Sequence, residues 1–241
     1  MKTKIQIGTS GFGLAKDAYA KAFSVVEIQQ TFYQPPRLST LERWRKELPT
    51  DFEFTLKAWQ LITHEARSPT YRRLKKKITE REKGEAGFFK STAIVEEAWE
   101  ATRACAEALR ARTILFQCPG SFRQSRDNIT NLEKFFTGIE RKKLNLCWEP
   151  RGDWDPTVVK SICDDLDLSH VVDPFVSKSV TPGKCYFRLH GRNGWRYKYD
   201  DGELHELAAM VKATAKTRLA YVFFNNSDMT KDALRFQELL T

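Results

Sequence analysis

Residues 144–154 read LNLCWEPRGDW. The first five form an apolar run of strand length that ends in a carboxylate and a guanidinium, Glu149 and Arg151. Continuous apolar character fits a parallel strand covered on both faces. Opposite charges at the tip of such a strand are expected where something binds. The same design recurs along the chain. KIQIG at 4–8, VVEIQ at 25–29, FEFTLK at 52–57, TILFQC at 113–118, LNLCWE at 144–149, SHVVD at 169–173, CYFRLH at 185–190 and YVFFNN at 221–226 all read as strands. Amphipathic stretches at helical spacing separate most of them, for example AIVEEAWEATRACAEAL at 93–109 and DGELHELAAMVKATA at 201–215. Asp127, the pair Asp155-Pro156 and Asp201 read as helix starts.

Eight strand–helix units in 241 residues predict an α/β fold, a (β/α)8 TIM barrel occupying 1–241 as one domain. The competing arrangement is a doubly wound open sheet. Its nucleotide loop would be GTSGFG at 8–13, but glycines at 8, 11 and 13 lack the GxGxxG spacing.

Lys and Arg outnumber Asp and Glu by 40 to 31, a net charge of +9 that favours an anionic or phosphorylated ligand over a cationic one. A basic solvated surface without a specific partner is the alternative. Residues 63–92 interrupt the strand–helix rhythm with nine cations (Arg67, Arg72, Arg73, Lys75, Lys76, Lys77, Arg81, Lys83, Lys90) against four Glu. A long loop after the third strand is expected at the C-terminal face of a barrel, where substrate loops lie. The opening MKTKIQIGTSGFG shows no apolar secretory segment, and no apolar run has membrane-spanning length. The five cysteines form no CxxC pair and fall mostly in apolar patterns, so buried reduced thiols in a cytoplasmic protein are expected.

In a barrel all strand tips open on one face, so the tips predict a site. They carry Gly8, Thr9 and Ser10; Glu27, Gln29 and the following Tyr33; Lys57; Gln117; Glu149 and Arg151; Asp173; Arg188 and His190; Asn225 and Asn226. Glu149–Arg188 and Glu27–Lys57 are the pairings expected to hold them. Glu27, Glu149 and Asp173 suit a carboxylate base or, if a metal is present, ligation of Mg²⁺ or Mn²⁺. His190 suits proton transfer. Lys57, Arg151 and Arg188 suit a phosphate or carboxylate, and Gln117, Asn225 and Tyr33 complete the expected substrate contacts. Zinc is disfavoured, because His64, His170, His190 and His205 show no ligand spacing. In YFRLHGRNGWRYKY at 186–199, Trp195 and two tyrosines alternate with cations, a pattern of single-strand nucleic-acid surfaces and equally of loop packing.

These residues carry a resemblance. IGTSGF at 7–12, TFYQPP at 31–36 with LERW at 41–44, FEFTLKAWQLITH at 52–64, LFQCPGSF at 115–122, WEPRGDW at 148–154, VVD at 171–173, YFRLHG at 186–191 and YVFFNN at 221–226 are similar, in order, to the YecE-like proteins, domain of unknown function 72. The resemblance implies a TIM barrel related in fold to the sugar isomerase and endonuclease IV group, and no established reaction. Three departures stand out. Gln29-Gln30 replaces an Asn before TFY, EPRG replaces EFRH so that Pro150 and Gly152 stand for an aromatic and a histidine, and SDMTKDA at 227–233 replaces a glycine turn. The first expectation is an enzyme acting on a phosphate-bearing substrate, with nucleic-acid phosphodiester hydrolysis foremost. The alternatives are a sugar-phosphate isomerase or lyase and a non-catalytic nucleic-acid-binding protein.

Overall fold

The computed structural model describes residues 4–214 and 219–240. Its strands are β1 Lys4–Thr9, β2 Val25–Ile28, β3 Glu53–Lys57, β4 Thr113–Gln117, β5 Asn145–Glu149, β6 Ser169–Val172, β7 Cys185–Leu189 and β8 Leu219–Phe224. All eight coincide with the expected apolar runs to within two residues at either end. The helices are α1 Lys16–Ala22, α2 Gln30–Tyr33, α3 Leu38–Glu47, α4 Gln60–Thr63, α5 Glu80–Glu85, α6 Ala93–Leu109, α7 Arg126–Gly138, α8 Pro156–Asp165, α9 Asp201–Thr214 and α10 Met229–Glu238. Residue 215, expected to end the α9 segment, lies outside the described residues.

The strands form one sheet in the order β1-β8-β7-β6-β5-β4-β3-β2. Parallel ladders run from Lys4↔Leu219 to Thr9↔Phe224, from Cys185↔Ala220 to Leu189↔Phe224, and from Thr113↔Asn145 to Gln117↔Glu149. A parallel bridge between Ser10 and Glu27 joins the two ends of that order. Eight parallel strands whose first and last members are bridged have the connectivity of a (β/α)8 barrel, as expected from the strand count.

Two local expectations are corrected. No helix joins β6 to β7; residues 173–184 cross as a loop. His170 anchors that loop, its backbone N–H donating to Thr181 Oγ1 at 2.9 Å while its Nδ1 accepts from Val180 N at 3.2 Å. Helix α7 starts from Ser125, whose hydroxyl accepts from Asn128 N at 3.2 Å, rather than from Asp127, which lies in the first turn. Asp155 does cap α8, ahead of Pro156. All five cysteines are buried. No helix among the described residues is long and apolar enough to cross a membrane.

The chain divides into two compact units. The first comprises the described residues up to Ile28, Glu47–Glu53 and those from Ser169 onward; the second comprises Gln29–Lys46 and Phe54–Leu168. In the first, the α1 residue Tyr19 is fully buried. Its hydroxyl accepts from Thr9 N and donates to Val25 O, at 2.9 and 3.1 Å. Burial pushes that phenol up to about 12, so it remains a hydrogen-bonding alcohol tying the tip of β1 to β2. Gly8 lies so near this contact that an added Cβ would sit 2.4 Å from the Val25 carbonyl oxygen.

In the second unit, Trp99, Phe116, Phe135, Phe136 and Phe89 pack with ring centroids 5.1–6.2 Å apart. Phe89 reaches that core because Gly87, Phe88 and Phe89 all take positive φ, turning the chain back at the end of the 63–92 stretch. Gly87 N and Phe89 N then bond the carbonyls of Leu61 and Ile62 at 2.8 and 2.9 Å. The basic stretch is thus a loop that leaves and returns to α4. It contains a 3-10 turn at Pro69–Arg73 and α5, which Thr79 and Glu82 close with a reciprocal capping box.

Gly8→Ala should destabilise the protein by about 1–3 kcal/mol through overpacking against β2. A urea midpoint that drops at unchanged slope is the expected result; an unmoved midpoint would show that β1 and β2 yield there.

Candidate active site

Strand β7 reads CYFRL and is buried along its whole length, arginine included. Alternation places Tyr186, Arg188 and the following His190 on one side of the strand. Within the same unit, β2 supplies Glu27 from an equally buried VVEI. Glu27 and Arg188 have no solvent exposure at all. Their contact is close to bidentate: Arg188 Nη2 lies 2.8 Å from Oε1, and Nε lies 3.1 Å from both oxygens. Ser10 Oγ donates to Oε1 at 2.8 Å and the Tyr186 hydroxyl to Oε2 at 2.6 Å. A buried carboxylate is tolerated only with such complete satisfaction. Glu27 is therefore the counterion that fixes Arg188.

The third guanidinium nitrogen, Arg188 Nη1, lies 3.4 Å from His190 Nε2. On the far side of the ring, Asn225 Nδ2 lies 3.1 Å from Nδ1. A neutral imidazole has one acceptor nitrogen, so the Arg188 and Asn225 donors compete for it and the ring is held from both sides. His190 is half-buried, as are Asp173 and Asn225. Asp173 uses its Oδ2 to accept from His190 N at 2.9 Å and its Oδ1 to accept from Phe175 N at 3.1 Å. It thereby holds the backbone of His190 and the start of the β6–β7 loop.

The loop after β7 turns at Gly191 and Gly194, both at positive φ; a Cβ on Gly191 would meet Gly194 O at 2.4 Å. It is bound to the β8 tip by Ser227 N donating to Trp195 O at 2.6 Å and by Asn226 Nδ2 donating to Tyr197 O at 2.8 Å. Trp195 itself is 63 % exposed, with the Arg196 guanidinium 4.9 Å from its ring centre. Arg192 and Lys198 are neutralised by Glu203 and Asp228.

The remaining expected residues, Lys57, Gln117, Glu149, Arg151 and Tyr33, belong to the second unit. There Gln117 and Glu149 are ladder partners at the ends of β4 and β5. Glu149 is buried and accepts from the exposed Arg151 at 3.1 Å. Lys57 is buried with its ammonium 3.6 Å from the Phe32 ring centre, a cation–π contact. Within the units, the ion pairs seen are Glu27–Arg188 and Glu149–Arg151. Gly152, which stands where the resembled family has histidine, has its would-be Cβ 2.2 Å from Phe122 O, leaving no room for a side chain. His64 is buried against Phe32, bonded to Thr63 Oγ1 at 2.8 Å, and is pulled down to about 3 by burial and then by the charge of Lys57.

Among the described residues no three His, Cys, Asp or Glu side chains form a group that could hold a metal ion. The expected Mg²⁺ or Mn²⁺ ligation by Glu27, Glu149 and Asp173 therefore has no assembled ligand set. Within the first unit the reason is visible, since Glu27 and Asp173 direct their oxygens to internal donors. Ser10 and Tyr186 were not foreseen as Glu27 donors. The alternation of Tyr186, Arg188 and His190 was the signal for the second of them.

The family described as Protein of unknown function DUF72 matches residues 16–241. The chain belongs to this family. It is 24 % identical over 258 residues to the UPF0759 protein YunF of Bacillus subtilis strain 168, covering 92 % of this chain and 85 % of YunF. A crystal structure of a DUF72 family protein from Enterococcus faecalis V583 superposes with a TM-score of 0.76 at 25 % identity, over 99 % of this chain and 98 % of that one. The DUF72 fold is shared more widely. D-psicose 3-epimerase matches with TM-score 0.62 at 13 % identity, over 98 % of each chain. An AP endonuclease, family 2, from Brucella melitensis matches with TM-score 0.62 at 12 % identity, over 97 % of each. At that identity the likeness is one of fold.

Glu27→Ala should destabilise by about 3–5 kcal/mol, because it strands a buried guanidinium. Glu27→Leu combined with Arg188→Met should recover much of the loss; a double variant as unstable as the single one in urea unfolding would contradict this. His64 binds a proton in the unfolded chain near pH 6.5 but in the folded one only near 3. Stability is therefore full above pH 6.5 and declines as pH falls toward 3. The His64 contribution lost between pH 7 and pH 5 is about 2 kcal/mol at most, and His64→Gln should flatten that part of the urea-unfolding profile.

Proposed function

We propose that the chain is an enzyme acting on a phosphate-bearing substrate at the His190 site, and that the substrate is a phosphodiester of nucleic acid. One observation carries the reading: an imidazole held between two side chains, its Nε2 facing a buried guanidinium that Glu27 fixes. At 3.4 Å the Arg188–His190 contact is long, so a substrate oxygen can replace it at little cost. Nε2 then takes the proton from an attacking water. The new O–P bond forms as the P–O bond to the leaving sugar oxygen breaks, and the imidazolium returns its proton to that oxygen. Arg188, with its charge held in place by Glu27, stabilises the developing phosphoryl charge. Asn225 and Asp173 act as positioning residues for the ring and for the backbone that carries it. The exposed Trp195 beside Arg196 supports a polymer with bases to stack, since an aromatic face next to a cation suits a single strand.

His190→Gln keeps the size and polarity of the ring but removes its base. Turnover of a short single-stranded oligonucleotide and of bis(p-nitrophenyl) phosphate should fall by roughly 10²–10⁴ while strand binding persists. Unchanged turnover would place the chemistry elsewhere. A strand bound but cut by neither protein would leave a binding protein, and proton exchange into a sugar phosphate would favour an isomerase.

A further inference from the structure

The nine cations of residues 63–92 fall into two groups once their surroundings are known. Arg67 pairs with Glu65 at 2.7 Å, Lys76 with Glu97 at 2.6 Å, Arg81 with Glu85 at 2.7 Å and Lys83 with Glu80 at 2.5 Å. Lys90 Nζ donates to the carbonyls of Gly84 and Ala86 at 2.9 and 3.4 Å. Arg72, Arg73, Lys75 and Lys77 have no carboxylate partner among the described residues. Three of these four, together with Arg37, line a single cleft of about 760 Å³ between residues 30–37 and 72–75, and no acid lines it. That volume lies within the range of small-molecule clefts, roughly 300–1,000 Å³. Four like charges around one cleft are mutually repulsive until an anion enters.

The cleft is also organised before any ligand arrives. Gln34 Oε1 accepts from the backbone N–H groups of Lys75 and Lys76 at 3.1 and 3.0 Å, which joins the two walls. Gln60 Nε2 donates to Tyr33 O at 2.8 Å and holds the floor. The Arg73 guanidinium lies over the Tyr33 ring, its central carbon 3.4 Å from the ring centre. A guanidinium stacked in this way presents a planar cationic surface, the kind on which nucleobases stack.

We propose that this cleft is a nucleotide site: Arg37, Arg72 and Lys75 hold a phosphate, and a base stacks on the Arg73–Tyr33 pair. A phosphate beside a flat ring is offered both by a free mononucleotide and by a residue of a single strand, and the test separates these sources. The site uses none of the His190 constellation, so the two readings stand or fall separately.

The test is calorimetric titration of the full chain with AMP, with a short oligothymidylate and with inorganic phosphate. Wild type and His190→Gln should bind alike. Arg73→Ala should weaken AMP or the strand roughly 10- to 100-fold. Arg37→Glu with Arg72→Glu, both on exposed side chains, should abolish binding. Strand affinity should fall with salt at a log–log slope of roughly 0.7 for the one phosphate held. AMP bound as tightly as the strand identifies a free-nucleotide site, and a strand bound far more tightly identifies a strand track; either supports the assignment. Inorganic phosphate matching AMP, affinities unmoved by either variant, or no binding at all would overturn it.

Discussion

A carboxylate and a guanidinium removed entirely from water must find their partners within the protein. Desolvating each ion costs several kcal/mol, and the cost is offset only when geometry is close and the remaining lone pairs are used. Glu27 and Arg188 meet that condition through Ser10 and Tyr186. The pair explains why polar residues are tolerated in two strands that are otherwise wholly apolar. It also holds in place the guanidinium that faces His190 Nε2.

In the first unit, three cations on and after β7 are paired with acids: Arg188 with Glu27, Arg192 with Glu203, Lys198 with Asp228. In the second, compensation is selective. Acids neutralise Arg67, Lys76, Arg81 and Lys83 and leave the 72–75 segment uncompensated around a cleft. A net charge distributed for solubility would have no reason to concentrate its excess at one concave place. Membership of DUF72 is consistent with both features and dictates neither chemistry; the fold shared with an epimerase and an AP endonuclease hosts different reactions.

The sequence did foretell which side chains share a direction where strand alternation controls it. Arg188 and His190 lie two residues apart and face the same way, as a pleated strand requires. Pairing was another matter. The pairs Glu27–Arg188 and Glu149–Arg151 were not read from the sequence, because charge sign says who attracts whom and not who is near. Asp173 shows the same limit. Its two carboxylate oxygens accept from the backbone N–H groups of His190 and Phe175, a use that depends on where the β6–β7 loop passes. The missing helix in that loop was not foreseeable either, since a His170–Thr181 anchor joins residues eleven positions apart.

The amino-acid sequence alone determined the strands, their parallel arrangement and the family, because burial on both faces leaves a local signature of apolar runs and the motifs lie in fixed order along the chain. It also determined that the strand ends would be polar. Only the tertiary structure decided that Glu27 answers Arg188, and which of the nine loop cations have no carboxylate partner among the described residues. Those properties depend on distances between residues far apart in the chain, as between Glu27 and Arg188 or Tyr33 and Arg73. Electrostatic energy falls with distance in space, and a linear sequence carries no record of it.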